Sequence, residues 1–291
     1  MKIINCGALN IDYVYSVDHM VKKGETLSSS TLETFCGGKG LNQSIALGKS
    51  GIPVWHAGMV GEEGAFLIEE LNRAGVNTKL ITRAKEKTGH AIIQRDGKGD
   101  NCILLYGGAN QAITKEWINH LAEYFEPGDY LLLQNEISGV GYLMKKAKSA
   151  GMTIIFNPSP MDEKIQTYPL PFVDYFILNQ VEAEGICQKS GTAEELLHIL
   201  KEQFPQAGIV LTLGENGSVF LKDETILKQS CYPASVADTT AAGDTFTGYF
   251  LEGLLKGRKI EETLQRASRA AAIAVSRKGA APSIPEAAEL L

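Results

Sequence analysis

The sequence predicts an α/β fold: a Rossmann-like, mostly parallel sheet with helices on both faces, plus a small β-sheet lid. Three observations carry this. From residue 114 onward, strand-length apolar runs alternate with helical stretches of about ten to fifteen residues, the rhythm of βα units that build a parallel sheet. The first hundred residues break that rhythm with short strands that are polar on one face and with a hairpin. And 291 residues, 44 % of them hydrophobic, suffice for one large core. The expected organisation is a single domain over residues 1–291, with a lid formed from about 12–36 and 88–107.

Taken in order, "KIINCGAL" reads as a buried first strand, and "DYVYSV" and "TLETF" as alternating, half-buried ones. "GLNQSIALGKSG" places apolar residues at helical spacing and stops at Gly51, a helix of about three turns. "VWHAGMVG" is a strand, "AFLIEELNRAGV" an amphipathic helix, and "GHAIIQRDGKGDNCILLYGGAN" a hairpin around turn formers. Then come helix "TKEWINHLAEYF", strand "DYLLLQNE", helix "GVGYLMKKAKSAG" and strand "MTIIFNPS". "VDYFILNQVEAE" runs from strand into helix, and "GIVLTLGENGSVFL" holds two strands around a glycine turn. "AAGDTFTGYFLEGLLKG" and "IEETLQRASRAAAIAVSRKG" are the closing helices.

Composition excludes several classes. A net charge of −6 offers no global field for nucleic acid or anionic membrane, so an anionic ligand needs a local device. No run approaches the roughly 20 apolar residues of a membrane span, and the first residues lack a basic, cleavable leader, so a cytoplasmic location is expected. Five scattered cysteines without a C-x-x-C pair argue for free thiols, and five isolated histidines argue against a zinc site.

Three glycine- or small-residue stretches are candidates for phosphate chemistry. "LGKSG" mimics the end of a Walker A loop, but Gln43 stands where its first glycine is required and the triplet ends a helix; it is rejected. "FCGGKGLNQ" places Gly37, Gly38 and Gly40 before a helix, which suits either close ligand approach or a simple turn. "DTTAAGDTFTG" is the most informative. At a helix start the first N–H groups lack intrahelical partners and together carry about half a positive charge. Ala241, Ala242 and Gly243 would leave those amides open to a phosphoryl group, with Asp244 beside them free to accept a proton. The competing explanation is that Asp244 merely caps the helix.

Together, "GGKGLNQ" and "DTTAAGDTFTG" resemble the paired signatures of the ribokinase-like (PfkB) carbohydrate kinases, as do "GALNID", "GGAN", "LNQVEAE", "TLGENG" and "AVSRKGAAPSIP" in the family's order. The resemblance spans essentially the whole chain. It implies an ATP-dependent transfer of the γ-phosphoryl group to the terminal hydroxyl of a small sugar, with D-ribose the first expectation. Another pentose, deoxyribose, a nucleoside or a hexose (phosphate) stays open, and a non-catalytic sugar sensor is a remote alternative. By the same likeness Asn10, Asp12, Gly38, Lys39, Asn42 and Glu136 bind sugar hydroxyls, and Asp244 is the base. The amides of Ala241, Ala242, Gly243 and Asp244 receive the phosphoryl oxygens.

The likeness also implies that Asn179 and Glu182 hold Mg²⁺ and its waters, a set that suits an ion reluctant to dehydrate. Thr212, Gly214, Gly217 and Ser268 would line the ATP site. Asp238 and Ser283 side chains, with carbonyls of Thr240, Ala274, Arg277 and Gly279, would surround a K⁺ ion; the alternative is a basic helix end with no ion. Tyr13 and Tyr106 depart from the family pattern near the expected sugar-facing lid. No nucleic acid or membrane partner is expected. A homodimer through the lid strands is, because so small a sheet cannot bury its apolar side alone.

Overall fold

Strand β1 (Ile3–Cys6) lies at the centre of the main sheet because it is apolar towards both faces: Ile3 joins one core, Ile4 and Cys6 the other. The structure, a computed structural model, describes residues 1–290. After β1 the chain leaves the sheet as β2 (Asn10–Ser16) and β3 (Thr31–Gly37), then returns through α1 (Lys39–Lys49) and β4 (Val54–Val60). Next come α2 (Ala65–Arg73), β5 (Asn77–Arg83), and the hairpin β6 (Gly89–Arg95) and β7 (Asn101–Tyr106). The alternating part follows: α3 (Lys115–Leu121), β8 (Tyr130–Leu133), α4 (Val140–Ser149), β9 (Thr153–Phe156), β10 (Tyr175–Asn179), α5 (Gln180–Cys187) and α6 (Ala193–Gln203). It closes with β11 (Gly208–Thr212), β12 (Ser218–Lys222), β13 (Thr225–Gln229), α7 (Ala242–Leu255) and α8 (Ile260–Val275).

Nine strands form the main sheet in the order β13-β12-β11-β10-β9-β8-β1-β4-β5, parallel except at β12 and β13. Helices α3 to α6 pack their apolar stripes on one face; α1, α2, α7 and α8 cover the other. The order reverses between β1 and β8, the place where an open α/β sheet leaves a crevice at its strand ends. A second sheet, β3-β2-β6-β7, is the small accessory one.

Three elements fall outside the segments read from sequence. Helix α6 carried a readable signal, the reciprocal capping box of Thr192 and Glu195 ahead of an apolar stripe. Strands β5 and β13 are the two sheet edges, mostly exposed and polar, and so lack the apolar run that marks the inner strands.

Register also decides which side of the small sheet each residue occupies. Asp12 pairs across to Ala91 and from there to Leu105, whereas Tyr106 pairs with His90, which pairs with Ile11. Since neighbours along a strand point to opposite faces, Tyr106, His90 and Tyr13 lie on the face away from Asp12. Their rings meet there, His90 to Tyr106 at 4.9 Å and to Tyr13 at 5.9 Å. Tyr13 and Tyr106, the departures from the family pattern, thus lie across the small sheet from Asp12.

Candidate active site

Helix α7 begins at Ala242, and the residue before it, Ala241, has a left-handed backbone with φ of 61°. A residue with a Cβ resists that conformation, and such strain collects at functional sites. Asp244 does not cap the helix: the capping position is Ala241, without any side-chain cap, and Asp244 sits inside the first turn. This removes the capping explanation of the motif.

Among the described residues, the amide hydrogens of Ala241, Gly243 and Asp244 meet no acceptor. Gly243 itself is exposed, and a Cβ built on it would meet nothing within 4 Å. The Ala242 amide departs from expectation. The left-handed turn at Ala241 folds it back onto the carbonyl oxygen of Thr239, at a long 3.3 Å.

Asp244 is buried at 6 % exposure, and both carboxylate oxygens are held from α1. Asn42 Nδ2 donates to Oδ2 at 3.0 Å and Gln43 Nε2 to Oδ1 at 2.9 Å. Glycine makes this approach possible. A Cβ on Gly40 would lie 2.5 Å from the Ala8 nitrogen, and one on Gly38 2.8 Å from the Ala8 oxygen, so α1 starts tight against the end of β1. On the other side of α1, Gly248 of α7 would carry its Cβ 2.4 Å from that of Ala46, which brings the two helices together.

Around this pair stand the other polar residues of the motif set. The Lys39 amide donates to Glu136 Oε2 at 2.7 Å. Burial pushes the Glu136 carboxyl up to about 7, against the pull of the Lys39 charge and amide, while Asp244 and Asp12 push it further. Burial likewise lifts Asp12 to about 6. Burial acts against the Lys39 ammonium, but Asp244, Glu136 and Glu182 outweigh it and hold its pKa above the usual lysine value. Asn10 Oδ1 accepts from Asn110 Nδ2 at 2.7 Å, and Asn110 is itself fixed by the backbone of Leu9. Asn110, in the "GGAN" segment, and Gln43 belong to the site's framework although neither was singled out from sequence; their roles depend on contacts across about a hundred positions or more. Asn42 Oδ1 is buried and has no partner.

Thr212 and Asn179 end two neighbouring parallel strands in register with each other. Asn179 and Glu182 form a reciprocal capping box at the start of α5, each Glu182 oxygen accepting at 2.9 Å from an Asn179 nitrogen. Each Glu182 oxygen accepts only one of these bonds, so each keeps a lone pair for a hydrated ion. No group of three metal-ligating His, Cys, Asp or Glu side chains exists among the described residues. A single carboxylate completed by water and phosphate oxygens is the donor set Mg²⁺ accepts. Gly214 and Gly217 both have positive φ in the turn after β11. Ser268 is buried on α8, and among the described residues no hydrogen bond ties it to that turn.

Asp238 anchors the segment before α7. Its Oδ1 accepts from the amide and hydroxyl of Thr240, and its Oδ2 from the Gly279 amide at 3.0 Å. Burial opposes its charge, but these hydrogen bonds prevail and hold the carboxyl below the usual range. Ser283 is buried and donates to the Ala280 carbonyl. The Ala274 carbonyl accepts from the Arg277 amide, and the Arg277 guanidinium turns away to Glu289.

Comparison with known proteins agrees with this geometry. Residues 2–287 match the pfkB family carbohydrate kinase pattern. The chain is 33 % identical to a ribokinase of Haemophilus influenzae, with 98 % of this chain and 95 % of the relative aligned. It superposes on Arabidopsis thaliana ribokinase complexed with ribose and ATP with a TM-score of 0.89 at 30 % identity, covering 99 % of this chain and 97 % of that one. The corresponding values for Cryptococcus neoformans ribokinase in complex with ADP are 0.86 and 30 %, with 99 % and 98 % covered. With its open helix start, its buried Asp244 and a family match from end to end, the chain belongs to the pfkB family of carbohydrate kinases.

Proposed function

We propose that this chain is an ATP-dependent kinase of a small sugar, ribose first among candidates, acting on the terminal hydroxyl. The carrying observation is the Asp244 carboxylate, immobilised by two side-chain amides at the open start of α7. Asp244 takes the proton as the hydroxyl oxygen attacks the γ-phosphorus and ADP leaves. Free amides of Ala241, Gly243 and Asp244 receive the phosphoryl oxygens, as the positive end of a helix should. Phosphoryl transfer asks mainly for positioning and charge neutralisation, which this arrangement supplies.

Asn10, Asp12, Gly38, Lys39, Asn42 and Glu136 form the sugar site. The buried, unpartnered Asn42 Oδ1 supports this, because an orphaned acceptor is costly until a hydroxyl donates to it. Thr212, Gly214, Gly217 and Ser268 line the nucleotide site. Mg²⁺ would be held through Glu182 and Asn179, where it neutralises charge on the phosphates. A K⁺ ion beside Asp238, Thr240, Ala274, Arg277, Gly279 and Ser283 would stiffen the loop that Asp238 already anchors.

The small sheet, residues of about 12–36 and 88–107, acts as a lid of the single domain. It also joins two copies through the face away from Asp12, where Leu32, Ile92, Leu104 and Tyr106 are exposed. Five unpaired cysteines suit a reducing, cytoplasmic setting, and no described helix is long and apolar enough to cross a membrane. A coupled ADP-release screen over ribose, deoxyribose, fructose, fructose phosphates, adenosine and pseudouridine tests the substrate. Ribose should give the largest kcat/KM, and a clear preference for another acceptor would replace it.

A further inference from the structure

Gln43 is wholly buried on α1, and its amide is one of the two that immobilise the Asp244 carboxylate. Its Nε2 donates to Asp244 Oδ1 at 2.9 Å and to Asn157 Oδ1 at 3.0 Å, while its Oε1 accepts from Gln134 Nε2 at 2.6 Å. The contacts continue inward. Gln134 Nε2 also donates to Asn5 Oδ1 at 3.0 Å, and Asn5 Nδ2 to the Gly40 carbonyl and Ser44 Oγ, both at 2.8 Å. Ser44 Oγ lies 2.8 Å from His56 Nδ1, whose Nε2 lies 3.2 Å from the Gly7 carbonyl.

The direction of every bond in this chain is determined. A carboxylate at one end and a carbonyl at the other can only accept. Burial lowers His56 to about 4, so near neutral pH its ring has one N–H, which must face Gly7; Ser44 therefore donates to Nδ1 and accepts from Asn5. Asn157 is oriented independently, because its Nδ2 donates to the Ile177 carbonyl at 2.8 Å and so turns its oxygen to Gln43. The Gln43 amide cannot rotate without breaking three bonds at once. Its supports stand on α1 and at β1, β8 and β9, interior strands of the sheet.

We infer that Gln43 is a positioning residue for phosphoryl transfer: it locks the plane of the Asp244 carboxylate so that a lone pair of Oδ2, beside Asn42, meets the sugar hydroxyl. This rests on Asp244 being the proton acceptor. A carboxylate free to swing would often present the wrong lone pair, and misplacement by about 1 Å can cost roughly 10²-fold in rate.

The test is a cycle of Gln43→Met, a near-isosteric side chain without a donor, and Asp244→Asn, assayed by ADP release with ribose and checked for folding by thermal melting. Gln43→Met should lower kcat by about ten- to a hundredfold. It should leave the KM for ribose within about twofold, and cost nothing further in the Asp244→Asn background, since residues acting as a unit are not additive. Wild-type kcat in Gln43→Met, or the same fractional loss in both backgrounds, overturns the inference. Wild-type kcat in Asp244→Asn alone instead removes the base assignment on which it rests. Should Gln43→Met fail to fold, Gln134→Met decides: it leaves both donors to Asp244 in place but frees the Gln43 amide. A smaller kcat loss, again absent with Asp244→Asn, supports the inference, and unchanged kcat overturns it.

Discussion

Asn42 Nδ2 donates to Asp244 Oδ2 at 3.0 Å across 202 positions of chain, joining the glycine-rich start of α1 to the first turn of α7. The "GGKGLNQ" and "DTTAAGDTFTG" motifs therefore share a hydrogen bond, and a change in one is felt in the other.

Asp244→Asn should fold and bind sugar while losing turnover by about 10²-fold or more, the scale for removing a general base. Steady-state kinetics and calorimetric sugar titration separate the two effects. Wild-type kcat would exclude Asp244 as the base.

Asn42→Ala removes the unpartnered acceptor Oδ1 as well as the donor to Asp244. Sugar affinity should weaken by about tenfold or more, the cost of a hydroxyl left unpaired in a buried site. Titration with ribose in the absence of nucleotide checks this, and an unchanged Kd would place the sugar elsewhere.

Glu136 makes stability depend on pH in an unusual direction. Its folded carboxyl titrates near 7, above the ordinary 4.5, so between those values the folded state holds a proton that the unfolded state has released. Stability from this group is thus fully present below about 4.5 and lost as pH rises through 7. Glu136→Gln abolishes the effect. In urea melts of the sugar-free protein, the stability of wild type relative to Glu136→Gln should fall between pH 5 and pH 8; a flat or rising difference contradicts the raised pKa.

If a K⁺ ion stiffens the segment before α7, KCl should raise activity clearly above equal NaCl or choline chloride at matched ionic strength. Asp238→Ala should blunt that response, since it releases Thr240 and Gly279 together. Identical rates in the three salts would exclude the ion.

Leu104 is 68 % exposed on the face of the small sheet away from Asp12, beside Ile92 on the neighbouring strand. Sedimentation at micromolar concentration should show a dimer for the wild type and a monomer for Leu104→Glu, because a buried charge would disrupt a two-fold apolar contact. A monomeric wild type would argue against pairing through this face.

Much of the architecture follows from the sequence by itself. Apolar runs such as "YLLL" and "GIVLT" and the stripes of α4 and α8 report local periodicity, which neighbours in sequence set. The open amides of α7 were legible in the same way, since side-chain size and helix position are local properties. Tertiary structure decided the rest. That Ala241 is left-handed and turns the Ala242 amide away, that Tyr106 stands opposite Asp12, and that edge strands β5 and β13 pair at all depend on turn geometry, register and neighbours. Most of all, Gln43 reads as one more polar residue on a helix until α1 packs against α7 and the ends of β8 and β9. Burial then forces each of its polar atoms to find a partner, and those partners lie between 91 and 201 positions away.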